Sequence, residues 1–147
     1  MSTTGQCRCG KVKFAFDGPV LLTQACHCRG CQRMTGGAFS LSTGTVLSQF
    51  RLIEGETVIG GLHGEPRHFV CDFCKSWLYT SLEAVGDFVN VRTTMLDEVP
   101  GGPPFMETWT AEKLPWASTG ATHSYAGAPA IEEYGALMGE FAARVSG

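Results

Sequence analysis

Seven cysteines, set in three short runs, are the residues of this 147-residue chain best suited to chemistry. They read Cys7-x-Cys9, Cys26-x-Cys28-x2-Cys31 and Cys71-x2-Cys74. An odd count, with no charged segment followed by an apolar run at the N-terminus, argues against a disulfide framework. Cysteines this close together in a reducing compartment read instead as metal ligands. Zinc takes four ligands in a tetrahedron, with Zn–S near about 2.3 Å. A C-x2-C turn brings two sulfurs to one metal, and C-x-C in an extended segment places both side chains on one face.

Seven ligands do not divide into two closed sites, whereas four plus three does. Cys7 and Cys9 pair with Cys71 and Cys74, distant segments joining in a closed structural site. Cys26, Cys28 and Cys31 supply three sulfurs within six residues, enough for a metal with one position open, the arrangement of catalytic zinc. Two alternatives stand beside this reading: three free thiols next to a single zinc, or His27 completing the second site. A zinc ion with three thiolates carries one net negative charge. It suits binding and activating another thiolate better than generating hydroxide, which points to thiol chemistry before hydrolysis.

The elements that must position these cysteines are short. Val12, Phe14 and Phe16 alternate with Lys11, Lys13 and Ala15, the period of a half-buried strand. An apolar run at 20–25 leads into Cys26, and 32–35 make a single helical turn stopped by Gly36 and Gly37. Phe39 to Leu47 alternate, as do Phe50, Leu52 and Ile53 less cleanly. Residues 55–66 are rich in glycine and read as a hairpin loop. Trp77 to Ser81, Phe88 to Arg92 and Phe105 to Thr110 read as strands, and Pro100 to Pro104 as irregular. Ile131, Tyr134, Leu137, Met138, Phe141 and Val145 mark one face of a C-terminal helix over 130–145. The class expected is mainly β, with antiparallel sheets and a terminal α-helix, in one domain over 1–147.

Charge narrows the partners. Eleven Lys and Arg against fourteen Asp and Glu give a net charge of −3, with the basic residues scattered singly. A phosphate-binding face for nucleic acid is not written here. No apolar run is long enough for a membrane helix, so the expected address is the cytoplasm. Oligomeric state is not legible.

The order of the motifs is recognisable. Gly5-x-Cys7-x-Cys9-Gly10-x-Val12-x-Phe14 is followed by Cys26-His27-Cys28-x2-Cys31-Gln32-Arg33-x-Thr35-Gly36-x2-Phe39, then by Arg67-x-Phe69-x-Cys71-x2-Cys74. This resembles the glutathione-dependent formaldehyde-activating enzyme (GFA/CENP-V) family over about residues 5–116. The resemblance implies a β-tent fold around two zinc sites. It implies Cys7, Cys9, Cys71 and Cys74 as structural ligands and Cys26, Cys28 and Cys31 as catalytic ones. It also implies a carbon–sulfur lyase: a thiol such as glutathione adds to formaldehyde to give an S-hydroxymethyl adduct, and the reverse reaction cleaves the C–S bond. The other function class is a non-catalytic, zinc-stabilised binding module.

The chain departs from the family pattern at Lys75, where glycine is common, and at Glu107-Thr108-Trp109, where many members carry a histidine. Arg29 and Arg33 suit a substrate carboxylate or a solvated loop face equally well. Arg67 reads as support for the sheet, and Thr35-Gly36 as the turn that aims Cys31. Glu107 is a candidate acid–base group without a visible partner. His63, His68 and His123 carry no signature of one.

Overall fold

A computed structural model describes residues 2–62 and 64–146; Met1, Gly147 and the histidine at 63 lie outside the described residues. The strands, in chain order, are β1 (Thr3–Gln6), β2 (Lys13–Phe16), β3 (Leu22–Cys26), β4 (Ser40–Thr45), β5 (Phe50–Glu54), β6 (Thr57–Gly60), β7 (Arg67–Cys71), β8 (Trp77–Ser81), β9 (Val89–Arg92), β10 (Met106–Thr108) and β11 (His123–Ser124). Two α-helices, α1 (Arg29–Thr35) and α2 (Tyr134–Ser146), complete the described structure with several single turns of 3₁₀ helix. The protein is mainly β, rich in antiparallel pairs, and carries a C-terminal helix.

The chain forms two compact units, one from the residues up to Val20 with Thr43–Pro100, the other from Leu21–Ser42 with the residues from Gly101 on. In the first unit β2 lies between β1 and β5, antiparallel to both. The strands β6, β7, β8 and β9 follow one another as an antiparallel meander. Phe14 and Phe16 on β2 are fully buried with Leu78, Val89 and Val91, so the alternation seen in sequence does mark a core face. Ala15, expected on the open face, is buried as well. Across β7 and β8, Phe69 sits opposite Tyr79 with the rings stacked at 4.7 Å. Aromatic cross-strand pairs of this kind contribute roughly 0.2–1 kcal/mol and help fix register.

Register matters here because β7 ends in Cys71. The pairing shifts between Phe69 and Val70, so Val70 lies opposite Trp77. The residues between them, from Cys71 to Ser76, form the turn that carries Cys71 and Cys74. Gly5 explains its place before Cys7: a Cβ there would meet Phe14 Cζ at 2.3 Å and the Met95 carbonyl oxygen at 2.4 Å.

The second unit is organised differently. β10 pairs in parallel with β3 on one side and with β11 on the other. α2 adds Leu137 and Phe141 to this core, and Phe141 meets Phe105 edge to face at 5.5 Å. The ends of the predicted stripe, Ile131 and Val145, are exposed, so the buried part of the helix is its middle. Ile131 in fact belongs to the 3₁₀ turn that precedes α2.

Three expectations need correction. Residues 55–66 are not wholly a loop, because Thr57–Gly60 form β6 against β7. Cys7 and Cys9 do not lie in an extended segment: Gly10 N–H bonds to Cys7 O, so the pair sits on a turn. The strand expected over 105–110 is three residues long, and Thr110–Glu112 form a 3₁₀ turn instead. Among the described residues no helix is long and apolar enough to cross a membrane.

Candidate metal centres

The first group lies within the first unit and is built from two turns of similar shape. In one, Cys7 N–H donates to Val12 O, Gly10 N–H to Cys7 O and Val12 N–H to Cys7 Sγ. In the other, Cys71 N–H donates to Ser76 O, Lys75 N–H to Cys71 O and Cys74 N–H to Cys71 Sγ. Gly10 adopts φ 78° and Lys75 φ 62°, so the residue after each second cysteine takes the left-handed conformation. Glycine does this freely and lysine against a steric cost. The departure at Lys75 has therefore left the turn in the shape that glycine favours. Arg8 N–H donates to Ser76 Oγ at 3.3 Å and ties the turns together.

All four sulfurs lie within 4.8 Å of one another. Cys7 Sγ is 3.5 Å from Cys9 Sγ, and Cys9 Sγ is 3.8 Å from Cys71 Sγ. The corners of a tetrahedron drawn with Zn–S of about 2.3 Å stand about 3.8 Å apart. The spacing and the all-sulfur donor set fit a four-coordinate thiophilic metal. Burial opposes ionisation at Cys74, but the Ser76 hydroxyl and backbone N–H outweigh it and hold the thiol down to about 5. Cys7 is lowered too, against its burial, by the Val12 N–H and by Cys9 and Cys71.

The second group lies within the second unit. Cys26 ends β3, Cys28 caps α1, and Cys31 sits in the first turn of that helix. Cys28 fills the place usually taken by Ser or Asp: its backbone is extended and its sulfur accepts the Cys31 N–H at 3.3 Å. That choice satisfies one of the helix's orphan donors with a sulfur. At the other end Thr35 Oγ donates to Cys31 O at 2.8 Å and Gly36 adopts φ 66°. Thr35 and Gly36 thus close α1 four and five residues after Cys31.

The three sulfurs also lie within 4.8 Å of one another, and among the described residues no fourth His, Cys, Asp or Glu ligand atom joins them. Their crowding separates their acidities. Cys31 acts on Cys26 as a hydrogen-bond partner and, against burial, lowers it to about 5, with help from the Cys28 backbone and the Thr108 hydroxyl. Cys28 is raised by burial, and Cys31 by its bond to Cys26 and by burial. A cluster that already favours one thiolate is a sulfur donor set suited to a cation.

His27 does not complete this group. Its ring is fully buried and turned to Glu107, where Nε2–H donates to Oε1 at 2.7 Å. Glu107 thus has a partner that the sequence did not reveal, since 80 residues separate the two. The parallel pairing of β3 with β10 brings them together, opposing Ala25 to Glu107 and Cys26 to Thr108. Gln32 was also missed. Its buried amide donates to His27 O at 2.7 Å and to Glu112 O at 3.0 Å, while its oxygen accepts from Arg29. Its place directly after Cys31 was the one signal in the sequence; its burial and its two carbonyl acceptors come from the fold.

Arg29 and Arg33 lie on α1 beside the ligand cysteines; the Arg29 guanidinium donates to Gln32 Oε1 and its backbone N–H to Glu112 Oε1. Other candidates find partners elsewhere. Arg67 approaches Glu65 and Glu83 at the surface, and His123 pairs with Glu140. His68 Nδ1 lies 2.9 Å from Thr80 Oγ. Trp109, directly after Thr108, is held at φ 57°, unusual for an aromatic residue. Its N–H and those of Thr110 and Ala111 bond to the carbonyls of Gly127, Tyr125 and Ala126.

The sequence model of the glutathione-dependent formaldehyde-activating enzymes matches residues 2–112. The crystal structure of a Rhodobacter sphaeroides protein superposes with a TM-score of 0.55 at 19% identity, over 67% of this chain and 91% of that one. At that identity the likeness speaks for the fold alone. No curated protein matches the chain.

Proposed function

The chain belongs to the glutathione-dependent formaldehyde-activating enzyme family, and from that premise we propose that it is a zinc-dependent carbon–sulfur lyase of the cytoplasm acting on a thiol–aldehyde adduct. Cys7, Cys9, Cys71 and Cys74 hold a structural zinc, and Cys26, Cys28 and Cys31 hold a catalytic one. The thiol is glutathione or a small relative of it, and the adduct is of the S-hydroxymethyl type. The observation that carries this reading is the second sulfur triangle, with three donors in reach of one ion and His27 turned away from them.

A zinc ion bound there supplies a positive centre that keeps a substrate thiol in its nucleophilic thiolate form. The chain's own contribution is geometric. Cys26 is fixed at the end of a strand paired with β10, and Cys28 and Cys31 by the first turn of α1. Thr108 offers its hydroxyl to the Cys26 sulfur, drawing charge from it. Thr108, Gln32 and Glu107 take up the N–H, the carbonyl and the Nε2 of His27, and the three sulfurs lie together beside it. Addition then joins the thiolate sulfur to the aldehyde carbon, the carbonyl π pair moving to oxygen, which takes a proton. Lysis runs the same steps backward.

The test has two parts. Native mass spectrometry of protein purified anaerobically without chelator should show two zinc ions per chain. Proton NMR of formaldehyde with glutathione should show faster adduct exchange when the protein is added, and Cys28→Ser should abolish the acceleration. One zinc per chain that does not rise on adding zinc, or no acceleration with any low-molecular-weight thiol, would overturn the proposal.

A further inference from the structure

One residue beside the three-cysteine group is closely held without being among the grouped ligands. His27 stands between Cys26 and Cys28 and is held at three points. Its N–H donates to Thr108 O at 3.0 Å, its carbonyl accepts from Gln32, and its ring donates to Glu107. Fixing these groups restricts the backbone torsions on either side of both sulfurs.

Glu107 is in turn more heavily bonded than packing requires. Oε1 accepts from His27 Nε2–H at 2.7 Å and from the Thr119 hydroxyl at 3.0 Å, while Oε2 accepts from the Ser124 hydroxyl at 2.6 Å. A side chain that merely filled space would need no charge, because burying a carboxylate is unfavourable unless its oxygens are bonded. Here three donors converge on one carboxylate, and they outweigh burial to hold its pKa below the usual range. Two of the three, Thr119 and Ser124, lie beyond residue 112, where the family match ends.

We infer that Glu107 is a positioning residue of the three-cysteine site. Through His27 it sets the spacing of Cys26 and Cys28, and through Thr119 and Ser124 it makes the segment after residue 112 part of that site. The inference rests on the metal reading above. The anchor fixes where the sulfurs stand, and therefore how long a metal stays and what field it feels. Outer partners of this kind change metal affinity by about 10–100-fold when removed.

The experiment loads the wild type, Glu107→Ala, Glu107→Gln and Ser124→Ala with cobalt(II). The visible spectrum and the rate of cobalt loss to a chelator are then recorded. The four-cysteine group, in the other unit of the same chain, serves as the internal reference. Glu107→Ala is expected to lose cobalt from the three-cysteine group about 10–100-fold faster, with displaced ligand-field bands and an unchanged slow phase from the reference site. Glu107→Gln keeps an acceptor for His27 and should restore most of the wild-type behaviour, and Ser124→Ala should fall between.

A folded Glu107→Ala with wild-type bands and rates overturns the inference. If that variant does not fold, wild-type bands and rates in both Ser124→Ala and Thr119→Ala overturn it equally. A wild type that takes up a single cobalt refutes the two-metal reading and this inference with it. Two cobalts that ignore Glu107 refute the inference alone.

Discussion

Gln32 reaches back from α1 to the carbonyl of His27 and donates to it at 2.7 Å, while the same amide nitrogen donates to Glu112 O. One side chain therefore pins the residue between two cysteines to the segment after β10. Replacing it with leucine, similar in size, leaves two carbonyls without these donors. Gln32→Leu is expected to cost about 1–3 kcal/mol, read as a lower melting temperature. Faster metal loss from Cys26, Cys28 and Cys31 should accompany it, and an unchanged melting temperature would refute the bond's importance.

The two cysteine groups differ in what their loss should do. Cys7 and Cys71 are buried within the core cluster of the first unit. Metal binding in small zinc domains supplies on the order of 10 kcal/mol of apparent folding free energy. Cys71→Ser and Cys7→Ser are expected to give unfolded or insoluble protein. Cys28→Ser should stay folded, with one metal fewer by mass spectrometry. A soluble Cys71→Ser that melts cooperatively would contradict the assignment.

Lys75 offers a stabilising substitution. At φ 62° a lysine is strained by about 1–2 kcal/mol, and a glycine adds back roughly 0.5–1 kcal/mol of chain entropy. The Lys75–Asp72 ion pair is exposed and contributes little. Lys75→Gly should therefore raise stability by roughly 0.5–1 kcal/mol in urea denaturation. A loss would show that the lysine makes a contribution its contacts do not explain.

Gly5→Ala tests the close approach of β1 to the core. The added methyl would collide with Phe14 and the Met95 carbonyl, and backbone cannot move aside as a flexible side chain can. Overpacking of this kind costs about 1–3 kcal/mol. Chemical denaturation should show the loss, and a neutral result would mean that the N-terminal strand shifts without penalty.

His68 is lowered from its ordinary 6.5 by burial first and by the Arg92 charge second. A histidine with a depressed folded pKa adds stability that is fully present above its unfolded value. That stability is lost as pH falls through the folded one. The first unit should thus weaken below pH 6.5, and His68→Gln should remove that part of the slope. An NMR titration of the His68 ring with a midpoint at or above 6.5 would refute the account.

The parts of the structure legible in sequence were those written in local pattern. Phe14 and Phe16 announced their strand by alternation, Gly36 the end of α1, and Leu137 and Phe141 the terminal helix. Each cysteine run announced itself because donor chemistry and spacing are local properties too, and the division into four and three followed from counting ligands. What escaped depended on long-range pairing. β6 was hidden among glycines, and β11 is two residues long. The parallel contact of β3 with β10, which joins His27 to Glu107, leaves no periodicity to read. C-x-C fits an extended segment, whereas the left-handed Gly10 bends Cys7 and Cys9 into a turn.

The sequence distance between cysteines has a consequence for the newly made chain. The three-cysteine run is local, spanning residues 26–31, so all its ligands are present once Cys31 has been made. The four-cysteine site must wait: Cys9 and Cys71 are 62 positions apart, and their meeting closes a long loop at an entropic cost that grows with loop length. During synthesis, therefore, the triplet meets the metal supply first, and the quartet can close only after most of the first unit has been made. Metal shortage in that interval leaves the N-terminal strands without their cross-link, with apolar surface exposed to other chains.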